Sequence, residues 1–122
     1  MLIAEDNEMI RLASTQILNN NGATVTEAEN GRIALELIEK QDFDLVITDV
    51  FMPEKDGYEL TKALRDSGYD KPIVAVTAAM VGHESDKMLE MGASFVLPKP
   101  LNADKLKASL ISVFLSNNSK YY

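Results

Sequence analysis

Two short runs, Leu45-Val46-Ile47 and Ile73-Val74-Ala75-Val76, are apolar at every position rather than at alternate ones. A strand with one wet face alternates, whereas a strand that is apolar throughout is buried on both faces, which calls for a parallel sheet with helices above and below it. Residues 1–4 are a shorter apolar run, residues 23–28 a short β-branched segment, and Ser94-Phe95-Val96-Leu97 a fifth strand. Between them lie segments with helical spacing. Ile10, Ala13 and Ile17, with Met9 and Leu12 beside them, mark a first helix that Asn19-Asn20-Asn21-Gly22 stops. Asn30 caps a second, with Ile33, Ala34, Leu37 and Ile38 on its apolar face, and residues 57–67 form a third with Leu60, Ala63 and Leu64 inward.

A fourth helix is expected over residues 78–91, with Met80, Met88 and Met91 as its bulky apolar members, and Gly92 closes it. The fifth strand runs into Pro98-Lys99-Pro100 and is expected to leave the ladder there. Asn102 then caps a fifth helix that turns Leu106, Leu110, Val113 and Phe114 inward. Five strand–helix units in strict alternation give an α/β fold, a five-stranded parallel sheet in a three-layer sandwich.

The chain's 122 residues suit one domain, expected over residues 1–115, with 116–122 as a frayed tail or the start of a linker. Met1 stands directly on the first strand, which we read as a sign of a segment cut from a longer protein. A net charge of −7 without a basic run argues against direct nucleic-acid binding. Cysteine is absent, which excludes disulfides and thiolate metal sites. No apolar span reaches the about 18 residues of a membrane helix, so a cytoplasmic setting is expected.

In open α/β sheets, ligands collect at the carboxyl ends of the strands. Reading only those ends gives Glu5 and Asp6, then Asp49, Thr77 and Lys99, while the second strand offers nothing comparable. Three carboxylates about 4 Å apart repel by roughly 4 kcal/mol per pair at an effective dielectric near 20. Such a pocket needs a cation, and hard oxygen ligands without Cys or His favour Mg²⁺. A dication beside Asp49, a hydroxyl at Thr77 and an ammonium at Lys99 would receive a doubly charged tetrahedral anion, which is what phosphoryl transfer requires. Asp49 can be the acceptor itself, since a carboxylate is already ionised at pH 7.

The ordered set of Glu5-Asp6, Asp49 with Met52-Pro53 and Asp56-Gly57, Thr77-Ala78, and Lys99-Pro100 resembles the receiver domain of the response-regulator family, the phosphoacceptor module of two-component signalling. The likeness spans residues 2–115. It implies a flavodoxin-like sheet in the order 2-1-3-4-5, an order that is a known example for a chemotaxis receiver. It also implies phosphorylation at Asp49, and Mg²⁺ held by Asp6, Asp49 and the carbonyl of Phe51 with Glu5 acting through water. Thr77 and Lys99 would contact the phosphoryl oxygens, and Lys99-Pro100 would be a cis peptide. The implied partners are a histidine kinase or histidine phosphotransfer domain, docking on the first helix near Met9, Ile10 and Ala13. An effector would read the face made by the fourth helix, fifth strand and fifth helix.

The sequence departs from the family pattern: many receivers carry Tyr or Phe three residues before the lysine, and this chain has Val96. Thr77 and Val96 are then the switch pair, with Phe95 on the opposite strand face. The stretches Val76-Thr77-Ala78-Ala79-Met80, Met91-Gly92-Ala93 and Lys99-Pro100-Leu101 are similar to receivers of hybrid sensor kinases and phosphorelays. Phe51 and Ala79, two residues past Asp49 and Thr77, flank the path of attacking water in this family, and neither can orient a water. Slow hydrolysis is therefore expected.

Rival readings fail on particular residues. A haloacid-dehalogenase-type phosphatase needs a second carboxylate where Phe51 stands. A flavodoxin-like electron carrier needs a glycine- and hydroxyl-rich phosphate loop where Glu5-Asp6 would repel the phosphate. A receiver that only docks proteins, without being phosphorylated, is the alternative that the residues leave open. His83 is expected to be a surface residue, and Asp42, Asp66, Asp70 and Asp104 solvated or capping groups.

Overall fold

The computed structural model of the protein describes residues 1–78 and 83–119, with side chains as far as residue 112. Five strands, β1 (Leu2–Ala4), β2 (Thr26–Ala28), β3 (Val46–Asp49), β4 (Ile73–Thr77) and β5 (Phe95–Pro98), form one parallel sheet in the order β2-β1-β3-β4-β5. They alternate with α1 (Glu8–Asn20), α2 (Gly31–Lys40), α3 (Gly57–Asp66), α4 (Glu84–Met91) and α5 (Ala103–Ser119). Alternation of side chains along each strand sorts the core into two faces. Leu2, Ala4, Val46 and Ile73 pack with Ala34, Leu60 and Leu64 of α2 and α3. Ile3, Ile47, Val74 and Val76 pack with Leu18 of α1 and Leu106 of α5. Val50, Ala75 and Met88 continue the first face toward α4, joined by Tyr58 and Val96.

The helices start where short polar side chains can hold the free amides. Asn7, Asn30 and Asn102 accept from Ile10, Ile33 and Lys105, and Asp56 with Glu59 makes a reciprocal cap on α3.

Several expectations need correction. The apolar residues whose spacing marks α1 are not the ones it buries: Ser14 and Leu18 face the sheet, Ile17 is half-buried, and Met9, Ile10, Leu12 and Ala13 are exposed. A polar clamp orients that helix, Arg11 donating to the carbonyl of Glu5 at 2.7 Å and to Glu27 at 3.0 Å. α4 starts at Glu84 rather than residue 78, and Ala78 lies in a bend. His83 precedes it, exposed and without a side-chain cap, while Glu84 and Asp86 suit the positive end of the helix. Met80 and Ala79 fall outside the described residues, as do the side chains of Val113 and Phe114.

β5 does not leave the ladder at Pro98. Pro98 pairs with Thr77, and Lys99 N–H donates to the Thr77 carbonyl at 2.8 Å. β5 is an edge strand, and in a parallel ladder alternate residues bond to a given neighbour, so the N–H that Pro98 lacks is one that would point to the open edge. Residues 116–119 continue α5, where the sequence pattern had lost its periodicity.

The lower end of α3 is tied down by polar contacts. Arg65 donates to the carbonyls of Gly92, Tyr69 and Lys71, and the Tyr69 hydroxyl donates to the Phe43 carbonyl at 2.9 Å. Burial pushes the Tyr69 phenol up to about 12, with Arg65 opposing and Asp44 and Asp70 adding to it. A phenol whose folded pKa lies above its unfolded value stabilises the fold fully below the unfolded pKa, near 10, and that contribution is lost as pH rises through about 12. Tyr69→Phe should therefore lower stability at pH 8 by about 1 kcal/mol, the hydrogen bond lost. It should also flatten the decline above pH 10 seen in urea midpoints, and an equally steep decline in the variant would contradict the assignment.

Candidate functional site

The register of the sheet builds the site. Ala4 is level with Thr48 and Asp49 with Val76, so the residues that follow β1, β4 and β5 emerge with Asp49 at one edge. Glu5, Asp6 and Asp49 each offer a carboxylate oxygen within 4.8 Å of the others. Asp6 is exposed, Asp49 half-buried, and Glu5 buried at 3% exposure. The Lys99 ammonium reaches into this group, 2.8 Å from Glu5 Oε1 and 3.0 Å from Asp49 Oδ2. Asp49 Oδ1 accepts from the Val50 amide at 2.8 Å, and Thr77 is buried at the end of β4. Lys99-Pro100 is cis.

The Lys99 ammonium contacts two of the three carboxylates, and the balance shows in the proton affinities of Glu5 and Lys99. Burial pushes Glu5 up to about 7, helped by the neighbouring Asp49 carboxylate, while Lys99 opposes the shift. Burial works to lower Lys99, but its bonds to Glu5 and Asp49 outweigh that and hold it above the usual lysine range. Glu5 Oε2 is buried with no hydrogen-bond partner among the described residues. An unpartnered carboxylate oxygen in an acid-rich, all-oxygen pocket is what a hard dication would satisfy, so the donor set fits Mg²⁺.

The loop from Val50 to Gly57 is held from several sides. Gly57 N–H donates to the Val50 carbonyl at 2.7 Å, Gly31 N–H at the start of α2 donates to the Lys55 carbonyl at 3.1 Å, and Arg32 pairs with Glu54 at 2.8 Å. Both partners of that last pair are exposed, so solvent screening leaves it a minor contribution. Phe51 is 59% exposed, its ring edge-on to Tyr58 with centroids 6.0 Å apart.

The site residues read from the sequence thus gather at one edge, with Val96 apart from them. Val96 packs in the layer toward α4 with Val50, Tyr58, Ala75 and Met88. Sequence reasoning missed the Glu5–Lys99 bond, the Arg11–Glu27 clamp and the burial of Tyr58. Arg11 is the sole cation of α1, a signal that could have been used.

A family model described as the response regulator receiver domain matches residues 1–111. The chain belongs to the response-regulator receiver family. It is 43% identical over 110 residues to the sensor protein EvgS of Escherichia coli, covering 90% of this chain and 9% of that one. Response regulator MprA of Mycolicibacterium vanbaalenii is 37% identical over the same share of this chain and 48% of its own. The chain thus spans from under a tenth to about half the length of these relatives. Among solved structures, the Vibrio cholerae chemotaxis protein CheY4 superposes with a TM-score of 0.82 at 33% identity, covering 92% of this chain and 95% of that one. The signal receiver domain of a histidine kinase from Syntrophus aciditrophicus gives 0.80 at 30%, covering 92% and 89%. The flavodoxin-like order β2-β1-β3-β4-β5 is therefore that of a receiver, and receivers with this sequence pattern occur in hybrid kinases and in response regulators alike.

Proposed function

We propose that this receiver accepts a phosphoryl group from a phosphohistidine donor onto Asp49 in a Mg²⁺-dependent reaction and relays the signal by a change of conformation. The observation that carries the reading is the convergence of Glu5, Asp6 and Asp49 carboxylates with the Lys99 ammonium at the one sheet edge. Asp6, Asp49 and the Phe51 carbonyl would hold Mg²⁺, with Glu5 acting through water. The ion supplies charge neutralisation for the incoming phosphoryl group. An Asp49 carboxylate oxygen attacks phosphorus, the donor N–P bond breaks, and the electron pair leaves with the imidazole, which takes a proton from solvent. Lys99, already against Asp49, is placed to move onto a phosphoryl oxygen, and Thr77 to follow it.

The added charge of about −1.5 to −2 then biases the domain, through Thr77 at the end of β4 and the start of α4, toward a second state. The donor would dock on the exposed Met9, Ile10, Leu12 and Ala13 of α1, an apolar patch beside the site. The effector would meet the face of α4, β5 and α5, where Leu89 and Ile111 are exposed. A histidine kinase or phosphotransfer domain is the partner this reading requires, in the cytoplasm, and the likeness to EvgS favours a hybrid-kinase context. No helix among the described residues is long and apolar enough to cross a membrane.

Mass spectrometry after incubation with Mg²⁺ and acetyl phosphate should find one labile phosphoryl adduct, on Asp49, and none on Asp49→Ala. An unlabelled wild-type domain would instead favour a module that only docks proteins. Phe51 presents no group to orient a water, so the adduct should persist for minutes or longer, and a lifetime of seconds would count against that role.

A further inference from the structure

The loop that follows Asp49 touches α4 through a short chain of side chains. Gly57 N–H closes the loop onto the Val50 carbonyl, leaving Phe51 on the outside and delivering Tyr58 directly after the closure. The Phe51 ring stands edge-on to Tyr58 at 82° between planes, an arrangement that sets the positive ring edge against the negative face. From α4, the Lys87 ammonium lies 4.2 Å from the centroid of the same Tyr58 ring. A cation over an aromatic face is attracted by the ring quadrupole. Tyr58 itself is buried at 9% exposure and packs with Val50, Ala75 and Met88, so its position is fixed while both its partners are at the surface. Burial raises its phenol pKa, and the charges of Glu84 at the start of α4 and Asp56 at the start of α3 add to the shift. Both ends of the chain of contacts therefore reach this one ring. Val96 of β5 contributes only aliphatic contact to the same cluster.

We infer that Tyr58 is a positioning residue that couples the Phe51 segment to α4: the ring holds the loop after Asp49 and presents its face to Lys87. Displacement of Phe51 then alters where α4 can hold its lysine. Combined with the proposed phosphorylation, on which only its use in signalling rests, the contact gives α4 a direct route to the state of the loop, separate from the Thr77 end of β4.

The test is amide NMR of the 122-residue chain in two arms. Without any ligand, Phe51→Ala should shift the amides of residues 84–91, and that response should fall at least about two-fold when Lys87→Met or Tyr58→Leu is also present. Tyr58→Phe keeps the ring and should keep the response. Lys87 is exposed, so if Tyr58→Leu does not fold, Lys87→Met decides alone. An undiminished response in Lys87→Met overturns the coupling.

In the second arm, beryllofluoride with Mg²⁺ is added. Lys87→Met should bind it within about two-fold of wild type yet show a smaller α4 shift. Equal α4 shifts would overturn the coupling and leave the phosphoacceptor reading standing. Failure of beryllofluoride to bind wild type, with the first arm as expected, would remove the phosphoacceptor reading and leave the coupling intact.

Discussion

Gly57→Ala should destabilise the domain by about 2–3 kcal/mol, a large share of what a domain of this size has in reserve. A Cβ built there lies 2.2 Å from the Asp49 carbonyl oxygen, with Val50 Cα and O at 3.0 and 3.1 Å. All three are backbone atoms of the segment that presents Asp49, so none can swing aside as a side chain could. Relief would require β3 and α3 to part, which breaks the Gly57 N–H bond to Val50 and moves the Asp49 side chain relative to Lys99. Labelling by acetyl phosphate should slow for that reason even at temperatures where the variant is folded. Gly22→Ala is the comparison: nothing lies within 4 Å of its Cβ, and only the φ of +88° resists, at about 1 kcal/mol. Urea midpoints at constant slope read the difference, and equal midpoints for the two variants would refute the close-approach argument.

Gly57 also illustrates what the sequence could disclose. Its place in Asp56-Gly57 marked a helix start, and the reciprocal cap by Asp56 and Glu59 confirms that start; the contact with the Asp49 carbonyl depends on how β3 and α3 meet. The same division runs through the site. Asp49 and Thr77 were legible because each ends a run of buried residues, and Lys99 because it follows a strand, here a half-buried one; parallel register brings such ends to one edge. The choice of Glu5 as a partner of Lys99 was not, because it is a contact across 94 residues of chain. On α1 the periodicity was correct and the inward face was not. Arg11 binds the Glu5 carbonyl and Glu27, fixing the helix rotation by polar contacts that hydrophobic spacing does not register. β2 supplies Glu27 to that clamp, although its strand end had offered nothing to the site.

Asp49→Asn should make the metal-free domain more stable while removing its response to Mg²⁺. Above about pH 8, where Glu5 with its pKa of about 7 is ionised, Asp49 is repelled by Glu5 and Asp6 within 4.8 Å and attracted by Lys99 at 3.0 Å. Two repulsions at the longer separation against one attraction at the shorter leave a net cost below one charge pair. Since Asp6 is exposed, solvent reduces that to about 1 kcal/mol. The amide is nearly isosteric with the carboxylate, and its oxygen can still accept from the Val50 amide, so packing and the local hydrogen bond are kept. Adding Mg²⁺ should raise the wild-type unfolding midpoint by mass action, because a dication bound only to the folded state stabilises it as RT ln(1 + [Mg²⁺]/Kd). The variant should respond little, its pocket having lost one of the carboxylates proposed to hold the ion along with a charge. Thermal melts of both proteins across a Mg²⁺ titration give the two quantities together. A less stable metal-free variant would mean that the Lys99 pair outweighs the repulsion. A variant that gains as much from Mg²⁺ as wild type would place the ion away from Asp49 and undercut the phosphoacceptor site itself.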